Sequence, residues 1–146
     1  MSADNEVAPE LKVRPLLLFV VLWLGMAPAA ALACEAAVHY SYNTPVEIEG
    51  TVRSGTGHHE AQGDFSYTYI ALDQPVCVDA ASGDEFNETT EKPIDRIQLA
   101  GEASQQDAPE VGSRVAVKGK LFGAHTAWHV EPVLIDGESL TQKSTN

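Results

Sequence analysis

From Ser113 to Ile135 the chain reads SRVAVKGKLFGAHTAWHVEPVLI, in which Val115, Val117, Gly119 and Leu121 alternate with Arg114, Ala116, Lys118 and Lys120. A period of two marks a strand with one buried face. Gly123 to Thr126 breaks the alternation, and Trp128, Val130, Val133, Leu134 and Ile135 open a second apolar run. The segment predicts a β-hairpin whose connection carries histidine. Upstream, Val46, Ile48, Gly50 and Val52 alternate with Glu47, Glu49, Thr51 and Arg53, which predicts a first strand. Its inward Gly50 signals a bend or a close backbone approach. SGTGHHEAQGD then predicts a loop carrying His58, His59 and Glu60. A second strand is expected over Phe65–Val78, with Pro75 breaking its ladder, and a third over Ile94–Ala100.

Between these elements, Asp79 to Lys92 is acidic and poor in large apolar residues, so a surface excursion is expected there. Within it Asn87-Glu88-Thr89 matches a glycosylation acceptor. Pro109 and Gly112 leave the connection GEASQQDAPEVG room for a turn or two of helix at most. Five short strands without a long amphipathic helix predict an all-β chain, most economically a small five-stranded OB-like barrel with long loops. A small sandwich is the alternative. The domain is expected over 34–140, followed by a polar, frayed tail at 141–146.

The N-terminal segment follows a different rule. Lys12 and Arg14 precede PLLLFVVLWLGMAPAAALA, which ends in Ala31-Leu32-Ala33 and predicts a signal peptide over 1–33, cleaved after Ala33. A membrane anchor is the rival reading, but about 12 strongly apolar positions fall short of the roughly 20 that a span needs. Export to the periplasm or beyond is therefore expected, with no membrane span after cleavage. Export also gives Cys34 and Cys77 a meaning. In an oxidising compartment the pair is most simply a disulfide; the alternative is a lipid anchor on Cys34, which directly follows the cleavage position.

Charge narrows the partners. From Cys34 onward seven Lys and Arg face eighteen Asp and Glu, an excess of eleven negatives. Nucleic acid is disfavoured, because its recognition starts from a basic footprint. A solvated surface, a cationic partner or a metal ion all fit.

The ordered run YTYIALDQPVCV, IDRIQLA and VGSRVAVKGKLFGAHTAWHVEPVLI resembles a bacterial exported family known as domain of unknown function DUF4431. The likeness rests on Leu72-Asp73-Gln74-Pro75-Val76-Cys77, Gly119-Lys120-Leu121-Phe122, Ala124-His125-Thr126 and Pro132-Val133-Leu134. It implies an exported domain with a cysteine near the mature N-terminus, which Cys34 matches, and implies no activity.

Two groups are candidates for chemistry. In an extended segment His125, His129 and Glu131 share a face, and with His58 and His59 from the loop they would offer a divalent metal such as zinc or copper the imidazole and carboxylate ligands it prefers. Trp128, Tyr67 and Tyr69 are candidates for an aromatic platform that takes a sugar or a protein. Catalysis finds no support: there is no nucleophile elbow, no His-Glu-x-x-His helix and no phosphate-cradling loop. The expected function is a non-enzymatic binding module for a protein partner, of an inhibitor type, with metal binding and oligosaccharide binding as alternatives.

Overall fold

The structure, a computed structural model, describes residues 34–104 and 109–143. The expected signal segment lies outside the described residues, as do positions 144–146 of the expected tail. Within them the chain forms β1 (Val38–Ser41), β2 (Pro45–His59), β3 (Gly63–Asp79), β4 (Ile94–Ala100), a single 3-10 turn (Glu102–Ser104), β5 (Arg114–Gly123) and β6 (Val133–Gln142).

β2 pairs antiparallel with β3 on one side and with β5 on the other, and β5 pairs antiparallel with β6. β6 lies parallel to β4, and β4 returns antiparallel to β3. The five strands β2 to β6 thereby close on themselves in OB-like order, which removes the sheet edges that an open meander leaves. β1 adds a short parallel strand beside β3. Alternation puts Ile48, Val52, Ile70, Ile97, Val115, Val117, Leu121, Val133 and Ile135 inside, each fully or almost fully buried. Gly50 faces inward as expected, and a side chain there would strike the carbonyl of Ala71 and the side chain of Ile70.

Three local expectations are corrected. SGTGHH is strand rather than loop, since β2 runs 15 residues to His59 and pairs with β3 through His59↔Gly63. Across the ladder Gly55 faces Tyr67 and Gly57 faces Phe65, and each ring lies over its glycine. The rings supply the lateral contact that glycine lacks, which is how aromatic cross-strand partners rescue weak strand positions. Pro75 does not end β3. It sits where the register against β4 shifts between Ala71 and Val76, a place that demands no ladder N–H. Finally, the first two residues of the expected tail are strand: Thr141 and Gln142 pair with Ala116 and Val115.

Cys34 and Cys77 form a disulfide, with Cα atoms 5.9 Å apart and both residues buried. The Cys34 sulfur is thus engaged within the barrel and has no valence left for a lipid thioether. The loop before β4 is tied down by Asn87, which is 4% exposed. Its Oδ1 accepts from the Gly123 N–H at 2.7 Å and its Nδ2 donates to Asp84 at 2.5 Å. A side chain spent this way closes the loop onto the end of β5 and offers no glycan acceptor.

Candidate functional site

Because Ile70 points inward, Phe65, Tyr67 and Tyr69 point out from β3 in a row. The Tyr67 and Tyr69 rings lie 5.8 Å apart, and the guanidinium of Arg96 on β4 sits over Tyr69 at 5.4 Å. Across the ladder from Tyr69 is Arg53. These side chains make one outer face of the barrel rather than its core.

Residues 124–132, between β5 and β6, fold over the end of this face. They form a loop and not the strand start that Trp128 and Val130 predicted; the turn is closed by the His129 N–H donating to the Thr126 carbonyl at 3.1 Å. What holds the loop is Gln98, a polar side chain in a β4 run of buried residues, itself 7% exposed. Its Nε2 donates to the Trp128 carbonyl at 3.0 Å, and its Oε1 accepts from the N–H groups of Val130 at 2.8 Å and Glu131 at 3.2 Å. One amide therefore satisfies three loop backbone groups that the interior would otherwise leave unpaired.

The loop so placed completes the aromatic face. Trp128 stacks on His59 at 4.5 Å and meets Phe65 edge-on at 4.8 Å. Glu131 accepts a hydrogen bond from the Tyr67 hydroxyl at 2.6 Å and lies 3.9 Å from Arg96. Burial, followed by the bond to Glu131, pushes the Tyr67 phenol up to about 12. Trp128 and Val130 nevertheless remain 40% exposed each. The structure thus places Trp128, Tyr67 and Tyr69 on the same outer face, together with Phe65, Arg96 and Val130.

The five residues expected around a metal do not meet. His58 bonds Asp64 at 2.7 Å, His59 is stacked on Trp128, and Glu131 faces Tyr67 and Arg96. His125 and His129 do come together, with rings 4.7 Å apart beside Phe122. Their shared strand face was the wrong reason; the turn brings them together. Hydrogen bonding assigns their tautomers. His125 Nδ1 faces the Gly123 carbonyl at 2.9 Å and must donate, whereas His129 Nδ1 accepts the His125 backbone N–H at 3.1 Å. His125 is left with a lone pair on Nε2 and His129 with an N–H there, so a metal would find one ready imidazole lone pair rather than two. Burial and then neighbouring His125 hold the His129 imidazolium below its usual range. Among the described residues no three His, Cys, Asp or Glu side chains group as metal ligands.

Sequence reasoning passed over Gln98 and read Asn87 only as a glycosylation acceptor. The signal at Gln98 was a polar amide inside an apolar run, which does not say what it bonds.

Residues 96–141 match the family model described as domain of unknown function DUF4431. The matched segment takes in β4 from Arg96, the loop 124–132 and β6 to Thr141, so the family resemblance is shown over the elements that carry Gln98, Trp128 and both loop histidines. Leu72–Cys77 lies outside it. No curated protein matches the chain. Among the described residues no helix is long and apolar enough to cross a membrane.

Proposed function

We propose that this DUF4431-like barrel is an exported, non-enzymatic module that captures a protein partner on the outer face of β3 and β4. The observation that carries the reading is Trp128, 40% exposed on top of packed aromatic rings and clustered with Tyr67, Tyr69 and Arg96. Trp, Tyr and Arg are the residue types that dominate interface hot spots, and rigid aromatic rings give contact area at small entropic cost. In barrels of this topology the second and third barrel strands with their flanking loops form the usual ligand face; here these are β3, β4, the turn after His59 and the loop 124–132. The excess of eleven negatives from Cys34 onward favours a basic partner, drawn in by long-range attraction and then held by the aromatic contacts. Export is supported by the apolar segment ahead of Cys34 and by a disulfide that an oxidising compartment preserves.

The test is capture from periplasmic extract on immobilised protein at low and high salt, with Trp128→Ala as the control. A basic protein retained by the native chain, weakened by salt and bound at least about tenfold less tightly by the variant supports the proposal. Equal capture by both, or no capture in either salt regime, refutes it. A second reading, oligosaccharide binding, is favoured by the row of Tyr67 and Tyr69, since sugar rings stack on such surfaces. Retention of glycan chains by the native protein and not by Tyr69→Ala would put it first.

A further inference from the structure

Beside the loop 124–132, lined in part by its two histidines, lies a cavity of about 400 Å³, a size that takes a small molecule. Its walls come from separate parts of the chain: Lys120 and Phe122 of β5, Asp136 of β6, Asn43 from the turn after β1, and His125 and His129 from the loop. Lys120 and Asp136 are register partners across β5 and β6, so opposite charges leave the sheet side by side. Yet among the described residues neither is held in an ion pair, although Lys118 and Lys143 are matched to Glu47 and Glu49. Asp136 lies against Gly101 instead, its Oδ1 occupying the space that a side chain at 101 would fill.

The imidazoles contribute differently from each other. With His125 Nδ1 committed to the Gly123 carbonyl and His129 Nδ1 to the His125 backbone N–H, these two cavity-lining rings keep a donor at His129 Nε2 and an acceptor at His125 Nε2. One cation with a neutral donor, one anion with a neutral acceptor, and the Phe122 ring as an apolar wall form a complementary set. A simple anion would meet Asp136, and a simple cation would meet Lys120. A ligand carrying both charges a few ångströms apart leaves neither unmatched.

We infer that this cavity binds a small zwitterion of the α-amino-acid class, its carboxylate set against Lys120 and His129 and its ammonium against Asp136 and His125. The site is distinct from the aromatic face, because it shares none of its side chains.

Isothermal titration of the oxidised protein with L-phenylalanine, N-acetyl-L-phenylalanine and L-phenylalaninamide tests this. The free amino acid is expected to bind with one-to-one stoichiometry, and each blocked form about tenfold or more weaker, since each lacks one charge-assisted contact. Lys120→Met and Asp136→Asn, both at exposed positions, are each expected to lower the affinity for the free amino acid by a similar factor, with near-ultraviolet circular dichroism unchanged. Absence of binding by any probe up to about 10 mM overturns the inference. So does equal binding of the three probes, preference for a blocked form, or native affinity in both variants.

Discussion

Replacing Gln98 by Leu keeps the size of the side chain and deletes its hydrogen bonds, which makes it the sharpest test of how the loop 124–132 is held. Three bonds are lost, at 2.8, 3.0 and 3.2 Å. At about 1 kcal/mol net each, the cost with the loop still docked is about 3 kcal/mol. If the loop instead leaves the barrel, its backbone groups regain water and the cost is capped by the contacts surrendered. Trp128, 40% exposed, is the largest of these. Some 150 Å² of its surface would be released, worth roughly 3–4 kcal/mol as an upper figure. Both routes converge on about 3 kcal/mol, reduced to about 2–3 by the apolar burial that Leu gains. In a chain starting at Cys34, Trp128 is the only tryptophan, so its emission reports directly on the loop. Urea unfolding should show the midpoint falling by about 2 M at an unchanged slope, and native-state emission shifting to the red if the loop lifts. A midpoint within about 0.4 M of the native value together with unshifted emission would show that Gln98 is not what holds the loop.

Two further outcomes are expected. Changing Cys34 and Cys77 together to Ala removes a cross-link between residues 43 apart in sequence, which should destabilise the barrel by up to about 4 kcal/mol, read as a lower urea midpoint; an unchanged midpoint would mean that the closure contributes nothing. The His129 imidazolium is disfavoured in the folded chain, so the unfolded state takes up that proton first: the neutral ring's contribution is complete above its ordinary value near 6.5 and is lost as pH falls through the lowered folded value. Stability followed by urea midpoint should therefore drop more steeply below about pH 6.5 in the native protein than in His129→Gln, and parallel profiles would refute the assignment.

Much of this molecule is legible residue by residue. Alternation at Val46–Arg53 and at Arg114–Leu121 dictated strands with one buried face, and enough of them in the right order implied an OB-like barrel, because a half-apolar strand has to bury that face. The cysteine pair and the row Phe65, Tyr67, Tyr69 were equally visible. Tertiary structure alone decided what those rings do. It carried β2 through Gly55 and Gly57 by laying rings from β3 over them, a rescue that local propensity reads as a loop. It also set the loop 124–132 across β4, where Gln98 satisfies backbone groups some thirty residues away. That one docking sends Trp128 to the aromatic face and His125 and His129 to the cavity, separating residues that lie within five positions of one another. Sequence periodicity reports which side of a strand a residue occupies, but a loop has no period. Its side chains go where its backbone finds hydrogen-bond partners, and those partners are supplied by distant strands.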